Sequence, residues 1–325
     1  MPCGSEGEGP SGPQRRGRSS RPLEEALPWG SLEQELRRTA PEQWLRPGPE
    51  AGLNAHLQRR ILIGRFASAP ELQRALEHSE APCPEWRAEA DRYVPGLPAR
   101  VSPCRRLSLE GPDLRFDLFA GGTAGERPLV VGLTGDWGML MSPVPYVAEA
   151  LQRHGHDLLL VQRRWRGGYF RGGQGDWLRP IGAAIHTLCG RRLRPRAVLG
   201  TSAGGLPALV LAERLGAGRG VAIGPVGDGE LFARGGPVRR LRRWHRWRHW
   251  SAGGGASLLV LHPADHPSDR EAASVIENRY RALRWAPPQL EVRAEPGCAD
   301  HNLVQFHVLA GRPLPELLAQ WLALA

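Results

Sequence analysis

The run Ala197-Val-Leu-Gly200-Thr-Ser202-Ala-Gly204-Gly-Leu-Pro-Ala-Leu-Val-Leu-Ala212 constrains this chain more than any other stretch. Its first three residues are apolar and predict a buried strand, and Leu206 to Leu215 predict a helix packed against it. Gly200-Thr-Ser-Ala-Gly204 must turn the chain sharply between the two. A serine at the apex of such a turn projects its hydroxyl clear of the sheet. Glycines on either side remove the side chains that would collide where strand and helix cross. The backbone N–H of Ala203, at the start of the helix, is then a donor to negative charge developing beside Ser202. The chain holds 41 glycines, so five residues alone decide little; the strand before and the helix after give the pattern its weight.

The segments around this run alternate in period. Leu107 and Leu109, then Leu114, Phe116 and Leu118, predict a β-hairpin turning at Gly111-Pro112-Asp113. An apolar strand follows over 128–133, then a loop at Thr134-Gly135-Asp136-Trp137-Gly138. A helix is predicted over 143–153, a strand over 157–161 and a helix over 176–189, with a Gly- and Arg-rich loop at 167–175. Beyond the central run come strands at 221–226, 257–261 and 290–294, a helix over 269–283, and a C-terminal helix ending at Ala325. Strands alternating with helices predict an α/β fold with a mostly parallel, doubly wound sheet, its site beyond the carboxyl ends of the strands.

Residues 1–22 carry little to bury and predict a disordered tail; residues 23–104 predict a small helical appendage and a Pro-rich linker. The net charge is +10, and every one of the 43 basic Lys+Arg positions is arginine, a skew that reads as coding bias while still favouring anionic surfaces. Five scattered cysteines form no C-x-x-C, so no zinc site, other metal or disulfide framework is predicted, and no motif calls for a cofactor. No apolar run reaches the ~18 residues of a membrane span. Arg15-Arg16 is followed by Gly17-Arg-Ser-Ser-Arg21 rather than an apolar stretch, so no export signal is read, and the expected compartment is cytoplasmic.

A nucleophilic Ser202 needs a base from later in the chain. His301, in Gly297-Cys-Ala-Asp-His-Asn-Leu303 between the final strand and the last helix, is the candidate; His307 lies within the helix and reads as structural. The segment Leu258-Leu-Val-Leu-His262-Pro-Ala-Asp265-His266-Pro-Ser-Asp269 offers two carboxylates to orient the imidazole. Asp265, nearer the strand end, comes first. Asp269 is the alternative, equally suited to capping the next helix, and Asp228 and Glu230 stand behind both.

On these motifs, residues 106–325 resemble the α/β-hydrolase family: Gly200-Thr-Ser-Ala-Gly204 for the turn, the strand ending at Leu261 for the acid, Ala299-Asp-His301-Asn-Leu for the histidine. The resemblance implies that fold, and Ser–acid–His hydrolysis of an ester, thioester or amide through an acyl-serine intermediate. It also implies a second oxyanion donor at the N–H of Asp136 or Trp137, paired with Ala203. Many members carry His-Gly-x-x-Asp after the acid strand; here His262-Pro-Ala-Asp-His266 places histidine at that Asp. Many also carry His-Gly where this chain has Thr134-Gly135.

The insert at 227–256 falls in the lid position and contains Arg239-Arg-Leu-Arg-Arg243-Trp244-His-Arg-Trp247-Arg-His-Trp250. Packed as a lid helix, its tryptophans would cover the pocket with arginines in water. With Arg163-Arg-Trp-Arg166 and Arg171, it favours an anionic small-molecule or acyl substrate. The alternative function is a silent hydrolase-like scaffold whose Arg243, Trp244 and Trp247 bind an anionic polymer, a membrane surface or a partner protein. No recognised nucleic-acid module is present.

Overall fold

The computed structural model describes residues 105–135, 140–142, 144–163, 169, 178–226, 255–281 and 289–324. The expected tail and appendage (1–104) and insert residues 227–254 lie outside the described residues.

The hairpin forms where Gly111-Pro112-Asp113 predicts it. β1 (Arg105–Glu110) and β2 (Leu114–Ala120) pair antiparallel, and the Gly111 N–H closes the turn on Leu114 O at 2.8 Å. The chain continues through β3 (Leu129–Leu133), α1 (Val144–Arg153), β4 (Asp157–Arg163), α2 (Leu178–Cys189) and β5 (Ala197–Thr201). A 3₁₀ turn at Ser202–Gly204 leads into α3 (Gly205–Arg214), and then come β6 (Arg219–Ile223), β7 (Ser257–Pro263), α4 (Pro267–Arg281) and β8 (Leu290–Glu295). The eight strands form one sheet in the order β1-β2-β4-β3-β5-β6-β7-β8. β2 runs against both its neighbours, and every pair from β4 to β8 is parallel.

Apolar residues run without interruption along the central strands because both faces of the sheet are covered. Val131, Val198, Leu258 and Val260 face a core built with α2, α3 and α4; Val130, Leu199, Leu259 and Leu261 face one built with α1 and the C-terminal helices. α3 is buried from Gly205 to Glu213, so it is apolar nearly all round, as a central helix must be.

The single C-terminal helix expected from the sequence is two. α5 (Leu303–Leu309) stops before Gly311, which takes φ +83°, and α6 (Leu314–Leu322) starts after Pro313. A left-handed glycine ends the first, and the proline fixes the extended entry to the second. Similarly, the strand expected over 221–226 ends at Ile223, where Gly224 adopts φ +49°.

Glu213 lies near the end of α3, almost fully buried, and its Oε2 has no hydrogen-bond partner among the described residues. Burial, partly offset by Arg214, pushes its carboxyl from 4.5 up to about 8. A folded-state value above the unfolded one gives stability that is complete below the unfolded value and lost as pH rises toward the folded one. Glu213→Gln is therefore expected to stabilise the protein by on the order of a few kcal/mol near pH 8 and by almost nothing below pH 4.5, as melting curves at the two pH values would show.

Candidate active site

β5 enters the turn extended, with Thr201 at φ −120° and ψ 145°, and Ser202 then swings to φ +51°. That left-handed conformation costs a non-glycine residue on the order of 1–3 kcal/mol and persists only where neighbours enforce it. Here they do. A Cβ on Gly200 would overlap Gly204 O and lie 2.6 Å from Ala208 Cβ, and one on Gly204 would overlap the carbonyl oxygen of Leu133. Strand and helix thus touch backbone to backbone, and the serine is forced out at the carboxyl edge of the sheet, half-buried.

The loop after β3 lies against this serine. A Cβ on Gly135 would sit 2.9 Å from Ser202 Cβ and 3.5 Å from its Oγ. Tyr169 fixes the approach: its buried hydroxyl lies 3.1 Å from Thr134 O and 2.9 Å from Val161 O, sharing one proton between two carbonyls. Burial pushes that phenol up to about 12. Arg163 is buried beside it, its guanidinium 4.9 Å from the Tyr169 ring centre.

His301 arrives from the loop between β8 and α5, where Asn302 caps α5 by accepting from Gln305 N at 3.1 Å. Its Nδ1 lies 2.7 Å from Asp269 Oδ2. A carboxylate only accepts, so Nδ1 carries the proton and a neutral ring keeps its lone pair on Nε2. The carboxylate that meets the imidazole is therefore Asp269, not Asp265. The reason lies in how β7 ends. α4 begins at Pro267, which brings Asp269 into its first turn, 2% exposed and turned inward. Asp265 occupies the turn before it, exposed, its N–H tied to Cys298 O at 3.1 Å.

Gly224 and Val226 connect the two halves of the site. A Cβ on Gly224 would lie 3.4 Å from His301 Cε1, while the Val226 N–H donates to Ser202 O at 3.2 Å. Ser202 and His301 thus share one edge of the sheet across β6, although among the described residues no hydrogen bond joins Oγ to the ring. Such bonds commonly tighten only around substrate.

An eight-stranded, mostly parallel sheet in this order, with a left-handed serine between a central strand and its helix and a histidine–aspartate pair beyond the later strands, decides the architecture. The chain has the α/β-hydrolase fold. No protein-family model and no curated protein sequence matches it. Similar solved structures include Est1E from Butyrivibrio proteoclasticus (15% identity, TM-score 0.46, covering 67% of this chain and 99% of that one). Another is the capsule O-acetyltransferase of Neisseria meningitidis serogroup A, with 12% identity, TM-score 0.47, and 66% and 94% coverage. A third is an esterase of Pyrobaculum calidifontis, with 16% identity, TM-score 0.46, and 69% and 84% coverage.

Within this hydrolase fold, two residues escape sequence reasoning. Tyr169 sits in a Gly- and Arg-rich loop with no periodicity to mark it. His266 packs its Nδ1 3.2 Å from Asp269 Oδ1, with Ser268 Oγ 3.1 Å away; its i,i+3 spacing to Asp269 was the available signal. Asp136 and Trp137, the expected second oxyanion donors, lie outside the described residues, as do Asp228, Glu230 and the insert residues Arg243, Trp244 and Trp247. Among the described residues no helix is long and apolar enough to cross a membrane. Because a methyl at Gly200 meets backbone, Gly200→Ala is expected to destabilise the fold by more than about 4 kcal/mol, measured by denaturant unfolding.

Proposed function

We propose that this protein is a serine hydrolase that cleaves a carboxylic ester, thioester or amide, with Ser202 as nucleophile, His301 as general base and acid, and Asp269 as the orienting carboxylate. The observation that carries the reading is the 2.7 Å contact of His301 Nδ1 with a buried Asp269, on the sheet edge where Ser202 stands at φ +51°. An imidazole held in this tautomer offers Nε2 to the serine proton as Oγ attacks the substrate carbonyl. Asp269 stabilises the imidazolium that forms. The ring then protonates the leaving group, and the acyl-serine is hydrolysed by a water that gives its proton to the same nitrogen.

The Ala203 N–H, in the turn that leads into α3, serves as one donor to the tetrahedral oxyanion. The second comes from the loop that starts at Gly135, whose lack of a side chain lets that backbone pass against Ser202. The arginine-rich composition of the insert favours anionic substrates.

A fluorophosphonate probe is expected to label the protein, and Ser202→Ala to abolish labelling. Asp269→Asn is expected to lower the hydrolytic rate about ten-thousandfold, since an amide at that place holds the wrong tautomer. Asp265→Asn is expected to keep the wild-type rate. Absence of labelling would instead favour the silent-scaffold reading, and equal losses in the two Asp variants would remove Asp269 from its role.

A further inference from the structure

We infer that His266, Asp269 and His301 form a binding site for a first-row divalent cation, Zn²⁺ foremost, and that the bound ion switches the serine machinery off. The second half rests on the proposed function; the first does not.

Donor geometry makes the case. One ligand atom from each of the three side chains lies within 4.8 Å of the other two, the only such group of three His, Cys, Asp or Glu among the described residues. Tetrahedral Zn²⁺ with ligands at about 2.0–2.1 Å sets neighbouring donors about 3.3 Å apart. The Asp269 oxygens already stand 2.7 Å from His301 Nδ1 and 3.2 Å from His266 Nδ1. Closing the remaining gap requires motion of the two rings alone, whose centroids are 5.8 Å apart. Their side chains are 34% and 30% exposed, whereas the carboxylate is 3% exposed and fixed in the first turn of α4. Adjustment therefore falls to the half-exposed rings, and the metal takes the His266 Nδ1 lone pair in place of Ser268 Oγ, which lies 3.1 Å from it. Two imidazoles with one carboxylate select zinc and its neighbours over magnesium or calcium, which prefer all-oxygen sets.

The consequence for the base follows from proton bookkeeping on one ring. A neutral imidazole carries a single proton. When the lone pair of His301 Nδ1 is given to the metal, that proton sits on Nε2, so the nitrogen that would accept from Ser202 has nothing to accept with. No bond to serine is made or broken, and removing the ion restores the Nδ1–H tautomer against Asp269.

The test uses the full chain, titrating Zn²⁺ in competition with a chromophoric chelator. Ser202→Ala is expected to bind as wild type does, because the serine is no ligand. His266→Ala and His266→Gln are expected to weaken one equivalent of zinc at least about tenfold, with thermal melts confirming that both fold. In parallel, zinc is expected to slow fluorophosphonate labelling of the wild type about tenfold or more, reversed by chelator, while each His266 variant keeps its own metal-free rate. Equal zinc affinity in wild type and both His266 variants overturns the site. Unchanged labelling of zinc-loaded wild type overturns the switch. If metal-free wild type is not labelled at all, the proposed hydrolase function fails, and the chelator competition still decides the site.

Discussion

The crossing of β5 and α3 at backbone contact is the constraint on which the rest depends. Gly200 and Gly204 bring a strand and a helix closer than any side chain permits, with Leu133 on the far side closing the gap. At that spacing the chain has one way round the corner, and Ser202 takes φ +51° to follow it. The strain is not free-standing. It is held by a helix buried along nearly its whole length and by the Val226 N–H on the serine carbonyl.

The acid–histidine half of the site is built by different physics. Asp269 is not a strand-end residue but a member of the first turn of α4, where the positive end of the helix favours a buried negative charge. His301 bonds its Oδ2 at 2.7 Å and His266 Nδ1 stands 3.2 Å from its Oδ1, so a carboxylate 2% exposed has an imidazole beside each oxygen. In the sequence pattern His266 stands at the acid's position, and the carboxylate that meets His301 lies three residues later, in the first turn of α4.

Much of this was legible in the sequence, because the deciding interactions were local. The strand–turn–helix at 197–212, the hairpin at Gly111-Pro112-Asp113 and the apolar strands announce themselves by period and turn residues. What was not legible depended on where a helix begins. Pro267 opens α4 two residues before Asp269, and that choice turned Asp269 inward and left Asp265 in the exposed turn. No spacing rule separates two aspartates four residues apart when the helix start between them is uncertain by as much. Tyr169 was invisible for another reason: its partners, Thr134 O just after β3 and Val161 O in β4, are backbone groups and leave no mark on composition.

The sheet order gives the two halves unequal shelter. Ser202 hangs from β5, flanked by β3 and β6 in the middle of the sheet, whereas His301 follows β8, an outermost strand whose residues are all half or fully exposed. Amide hydrogens around the serine should therefore exchange only through global opening, while those of β8 and the loop to His301 exchange through smaller excursions that leave the centre intact. Mild heat or denaturant would then part the imidazole from the hydroxyl before the molecule melts, so the integrity of this site and foldedness are governed by two different free energies.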